Sequence, residues 1–166
     1  MKLIVTGMAR AGKDTVCEML QVKGFNFRSS SDICNETVVF PVLSKLYNYK
    51  TLEECYADRV NHRAEWFNLI YAYNMEDKAK LGKLIFENYD IYCGLRNIEE
   101  LKALKLSKLD IVTIWVDAEA RLGVTEDKTS ITICKEACDY VINNNGSLQD
   151  LENRIESLSR LLDWLK

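Results

Sequence analysis

Lys2-Leu3-Ile4-Val5-Thr6-Gly7-Met8-Ala9-Arg10-Ala11-Gly12-Lys13-Asp14-Thr15 decides how this chain is read. The apolar run at 2–6 predicts a buried strand. After Thr15, Val16, Met19, Leu20 and Val22 predict the inward side of a helix that Gly24 ends. Between them lies a turn bracketed by Gly7 and Gly12 and closed by Lys13. A glycine loop that joins a strand to a helix and ends in lysine has the pattern of a phosphate-binding loop. Backbone N–H groups from Gly7, Ala9, Arg10, Ala11 and Gly12 onward would face an anion, with the helix dipole behind them and Lys13 as a mobile cation. Gly7 is expected to allow the sharp turn, and Gly12 to let backbone approach the anion with no Cβ in the way. The bland alternative is a glycine-rich turn with a solvated lysine.

The loop departs from the usual pattern at one position. A hydroxyl normally follows the lysine directly and ligates Mg²⁺; here that position holds Asp14, and the hydroxyl comes next, at Thr15. Both are candidate metal ligands. Asp14 fits equally well as an acid favoured by the helix dipole in a first turn.

Working outward, the whole chain is 166 residues, 48% hydrophobic and 28% charged, which predicts one globular domain spanning 1–166. The net charge of −3 gives no basic footprint for nucleic acid. The apolar start is too short for a signal peptide, and no stretch approaches membrane-spanning length. Six cysteines (Cys17, Cys34, Cys55, Cys93, Cys134 and Cys138) include no Cys-x-x-Cys pair, so a reducing, cytoplasmic compartment and no structural metal are expected.

Further strands are expected at 25–28, 91–93, 111–116 and 140–142. Apolar strands alternating with helices predict β-α-β units, hence an α/β fold with a five-stranded parallel sheet between two helical layers. The last helix is expected to start at the cap Ser147 and to bury Leu148, Leu151, Ile155, Leu158, Leu162 and Leu165. The span 33–88 is too long for a simple crossover and reads as a helical insertion between strands two and three. Within it Val60, Ala64, Phe67, Ile70 and Tyr71 are expected to share one face, with Leu81, Leu84 and Ile85 in a second segment. Residues 121–132 read as a short lid.

Ligands of open parallel sheets bind at the carboxyl ends of the strands. Those positions hold Ser29 to Asp32, Gly94 to Asn97, Asp117 with Arg121, and Asn143 to Gly146. In this order the pieces resemble a family. Gly12-Lys13-Asp14-Thr15, the acid Asp32, Gly94-Leu95-Arg96-Asn97-Ile98-Glu99-Glu100, and Asp139-Tyr140-Val141-Ile142-Asn143-Asn144-Asn145-Gly146-Ser147-Leu148 are similar to the deoxynucleoside monophosphate kinases of bacteriophages and to the related dephospho-coenzyme A kinases.

That resemblance implies ATP and Mg²⁺ as cofactors, small nucleotides as partners, and a P-loop kinase fold. Homodimer formation stays open. It implies that Lys13 bridges the transferring phosphate, that Arg96 reaches the acceptor phosphate, and that Arg121 of the lid covers donor phosphates or stacks on adenine. Asp32 would hold a metal-bound water or the acceptor; its alternative is a helix cap. Arg96 has its own alternative, pairing with Glu99 or Glu100, and Arg121 that of a plain surface loop. Asn144, Asn145 and Gly146 would form the turn beside the donor base. The insertion would select the acceptor: Arg59, His62, Arg63 and Trp66 fit one helical face, with the two arginines on a monophosphate and Trp66 on a base. The alternative is a solvated basic face over a buried Trp66.

The strand-three acid of phosphate-loop enzymes is missing, because Tyr92-Cys93-Gly94 stand there. Two rivals therefore accompany the kinase reading: a kinase on another acceptor such as a coenzyme precursor, and a nucleotide-binding regulatory module without catalysis.

Overall fold

The computed structural model describes residues 1–123 and 130–164. The chain opens with β1 (Lys2–Thr6) and runs through the glycine loop into α1 (Lys13–Val22) and β2 (Phe27–Ser29). The insertion follows: α2 (Ser30–Cys34), a π-helical turn at Asn35–Val39, α3 (Phe40–Tyr47), α4 (Leu52–Ala57), a 3-10 turn at Asp58–Val60, α5 (Arg63–Tyr73) and α6 (Lys80–Asn88). Then come β3 (Ile91–Cys93), α7 (Ile98–Leu106), β4 (Ile111–Asp117), α8 (Glu119–Leu122), β5 (Tyr140–Asn143) and α9 (Leu148–Trp164). The sheet is all parallel, in the order β2-β3-β1-β4-β5. This is the α/β architecture expected from the sequence.

Alternation along the strands builds the layers. Leu3 and Val5 of β1, with Ile114 and Val116 of β4, pack under α1 and α9. Ile4, Tyr92 and Trp115 face the other way, against α6 and α7. Residues buried on both faces explain why these strands read as unbroken apolar runs. A separate small core of Val38, Val39, Leu43, Cys55 and Trp66 holds the insertion together. Among the described residues no helix is long and apolar enough to cross a membrane. All six cysteines are free; Cys17, Cys34, Cys55 and Cys93 are buried and Cys134 is exposed.

Several expectations need correction. The second strand starts at Phe27 rather than at residue 25, because Phe25 is drawn into the core beneath α1 and pairing begins at Phe27 opposite Ile91. Val22 is 85% exposed; it lies about 200° around the helix from Leu20, which is buried. In the insertion, Val60 belongs to the 3-10 turn and so falls out of phase with α5. The buried side of α5 carries Trp66, with Leu69, Ile70 and Tyr73 packed beside it, while Phe67 and Tyr71 stack on each other in solvent. Arg59, His62 and Arg63 therefore do not share one helical face. In α9, Leu151, Ile155, Leu158 and Leu162 are buried as expected, but Leu148 is exposed and Leu165 lies outside the described residues. Ser147 does cap this helix: its Oγ accepts the Asp150 N–H, and Asp150 Oδ2 accepts the Ser147 N–H.

Candidate active site

The glycine loop sits at the carboxyl end of β1, the central strand. Gly7 has φ +146°, and a Cβ there would fall 2.6 Å from the Val116 carbonyl oxygen of the neighbouring β4. Gly12 has φ +91°, caps α1, and a Cβ there would run into the Asn144 side chain. The requirement at Gly12 thus comes from Asn144 as well as from the backbone conformation, a cause absent from the sequence reading. Arg10 also takes positive φ, at 63°, and stays exposed. Lys13 folds over its own loop, with Nζ donating to the Gly7 carbonyl at 3.0 Å and to the Met8 carbonyl at 2.7 Å.

The turn after β5 closes against this loop. Asn144 Nδ2 donates to the Ala11 carbonyl at 2.7 Å. Asn145 Nδ2 donates to Asn143 Oδ1 and to the Asp117 carbonyl, and Asn145 Oδ1 accepts the Arg121 N–H at 3.0 Å. Arg121 Nε reaches the Asn144 carbonyl at 3.3 Å. Arg121, Asn145 and the loop residue Ala11 therefore meet, with Gly146 at the head of α9. Asn144, the first residue of the turn expected there, joins them; its side-chain bond to the loop is what the sequence did not show. Of the expected lid, 124–129 lie outside the described residues. Its return is pinned where Arg96 stands: Thr132 N–H donates to the Arg96 carbonyl at 3.0 Å, and Thr132 Oγ1 accepts the Ile98 N–H at 2.9 Å. Between the loop and this return lies a recess of about 500 Å³ bounded by Met8, Ala9, Trp115, Leu122, Ile131 and Ile133.

Asp14 lies on the first turn of α1, exposed, and its Oδ1 accepts a hydrogen bond from the Cys93 thiol at the end of β3, 3.5 Å away. Thr15 is half-buried next to it. Among the described residues no three His, Cys, Asp or Glu gather to hold a metal unaided. Two oxygen donors on consecutive residues beside an anion loop do fit Mg²⁺, which takes few protein ligands and keeps its waters.

On the other side of β1, Gly94 N–H donates to the Val5 carbonyl at 2.8 Å, and Thr6 Oγ1 donates to the Leu95 carbonyl at 2.5 Å, which fixes the segment leading to Arg96. Arg96 is half-buried; Glu99, a partner weighed for it, bonds Lys102 at 2.7 Å. Asp32 is half-buried in the first turn of α2. The cap of that helix is Ser29, whose Oγ accepts the Ser31 N–H, and not Ser30, Ser31 or Asp32. Arg59 reaches this corner, donating from Nη1 to Ser31 Oγ at 3.0 Å. Its guanidinium lies 4.9 Å from the Trp66 ring centroid. Trp66 is only 3% exposed and covered by Arg59 and Tyr56, so it is no platform for a base. Arg63 is exposed at the start of α5. His62 is held between Asp58 and Glu65, a structural role.

Glu100, the other partner weighed for Arg96, is half-buried on α7. Burial raises its carboxyl above the ordinary range, and the Asn74 amide and Lys78 ammonium oppose only part of that rise. Two buried polar atoms among the described residues, Asn35 Oδ1 and Trp66 Nε1, have no hydrogen-bond partner. Both lie in the insertion.

Comparison with protein-family models gives no match, and neither does a search of the curated proteins.

Proposed function

We propose that the chain is a phosphotransferase of the P-loop kinase type, moving the γ-phosphoryl group of ATP to a deoxynucleoside monophosphate. One observation supports the reading: Lys13 folds over the glycine loop that follows β1, while Arg59 bonds Ser31 just after β2, and Arg96 and Arg121 follow β3 and β4 at the carboxyl end of the same parallel sheet. Phosphoryl transfer asks a protein mainly to align two anions and relieve their repulsion.

Lys13, already bonded to loop carbonyls at the mouth of the turn, would exchange those acceptors for phosphate oxygens. The backbone amides of 9–13 would cradle the same phosphates. Arg121, tied to the Asn144–Asn145 turn, would orient the donor from its base side. Arg96, beyond the fixed Gly94–Leu95 segment, would draw in the acceptor phosphate; a guanidinium fork suits that task. Arg59 would help, anchored by Trp66 and Ser31, with Asp32 close by in sequence to orient the acceptor. The recess beside the loop would be shut by the lid, keeping water from competing as acceptor. Asp14 and Thr15 would hold Mg²⁺, which supplies charge neutralisation on the phosphates when bound.

A second reading keeps support from one feature. β3 ends in Cys93-Gly94 without an acid, which suits a nucleotide-binding module that does not turn over. A kinase acting on a coenzyme precursor is the third. ADP release measured with ATP, Mg²⁺ and a panel of dNMPs, NMPs and dephospho-coenzyme A separates them. Turnover selective for one or two dNMPs is expected. Turnover with dephospho-coenzyme A alone, or ATP binding without turnover on any acceptor, would replace the reading. Lys13→Met should lower turnover by about 100-fold or more.

A further inference from the structure

The acid that β3 lacks at its tip is present in space, because α1 delivers one there. The Cys93 thiol, at the last position of β3, bonds Asp14 Oδ1 at 3.5 Å. The Cys17 thiol shares the buried core beneath α1 with Cys93, and both are free. Asp14 itself is exposed, one residue from Lys13 and next to Thr15. Of the other acids at this end of the sheet, Asp117 spends Oδ1 on capping the Glu119 N–H, and Asp32 sits on the first turn of α2.

We propose that Asp14 is the carboxylate that couples the metal ion to the nucleotide, and that Cys93 is the residue that positions it at the tip of β3. The inference rests on the reading that the loop binds Mg·ATP. Its physical content is a change of sign. Without a cation, a carboxylate beside a triphosphate repels it, and Asp14 weakens binding. With Mg²⁺ bound, the same carboxylate would face the cation's charge instead of the phosphates' and would strengthen binding. An acid kept only to complement the helix dipole would leave both affinities alone and change stability instead. The thiol's part is orientation: a bare aspartate on a first turn samples several rotamers, and the bond to Cys93 selects the one that faces β3.

Calorimetric titration of ATP into wild type, Asp14→Asn and Cys93→Ala, with EDTA and then with Mg²⁺, tests this without reference to turnover. For Asp14→Asn, ATP affinity in EDTA should stay equal or rise, while the gain produced by Mg²⁺ falls at least tenfold relative to wild type. For Cys93→Ala the gain should fall by a smaller factor of about threefold, with affinity in EDTA unchanged. An Asp14→Asn protein that keeps the full Mg²⁺ gain overturns the role of Asp14, and a Cys93→Ala protein that keeps it overturns the positioning role. Either result leaves the kinase reading standing as long as wild type binds Mg·ATP. Wild type that binds no ATP in either condition ends both. Asp14 is exposed, so Asp14→Asn is expected to fold, and thermal melts of each variant verify it.

Discussion

At the scale of single residues, the loop depends on backbone conformations that side chains resist. Gly12→Ala combines a left-handed φ with a collision against Asn144, and should cost about 1–3 kcal/mol of stability. Adding Asn144→Ala should return the collision part and leave the dihedral part, which denaturant melts of the two variants would resolve. Full recovery would mean that φ contributes nothing. Asp139 gives a pH prediction. Burial alone would raise its carboxyl, but the Thr113 hydroxyl and amide and the Lys105 ammonium outweigh burial and hold it below the ordinary range. Folding therefore favours the ionised form. That contribution is complete above the unfolded-state value of roughly 3.9 and is lost as pH falls through the lower folded value. Asp139→Asn should be less stable than wild type at neutral pH, with the gap closing in acid. A gap independent of pH in thermal melts would contradict this.

At the scale of elements, sequence and structure agree best where periodicity is simple. The strand 111–117 and the helix from Leu148 were legible because an unbroken apolar run and a three–four repeat each have one solution. The insertion was not, because α5 offers aromatic residues on both sides: Trp66 and Tyr73 inward, Phe67 and Tyr71 outward. Only the packing of the π-helical turn against it decides which side is buried, and no local pattern encodes that contact. The corrected assignment predicts a contrast. Trp66→Ala should cost about 3–5 kcal/mol or unfold the insertion, whereas Phe67→Ser should stay within about 0.5 kcal/mol of wild type. Equal losses would restore the face read from the sequence. The insertion also holds two orphaned polar atoms, Asn35 Oδ1 and Trp66 Nε1, each a cost of about 1–3 kcal/mol. Hydrogen exchange should therefore open α4 and α5 at lower free energy than β1 and β4.

At the scale of the whole molecule, strand order explains why distant segments meet. With β1 between β3 and β4, the chain leaves it toward one edge and later crosses to the other, so the glycine loop faces a crevice flanked by both halves. Arg96 comes from one half and Arg121 from the other. That both follow the carboxyl ends of strands flanking β1 was legible from the sequence as topology. The tie of Asn144 to Ala11 and of Cys93 to Asp14 was not, because each joins residues whose separation in sequence carries no signal. What the assembled site is for reduces to whether the loop holds a triphosphate. Isothermal titration of Mg·ATP into wild type and Lys13→Met measures that directly. The account predicts saturable heat at one site per chain for wild type and an affinity at least tenfold weaker for the variant. No heat with wild type, or equal affinity in the two proteins, would contradict it.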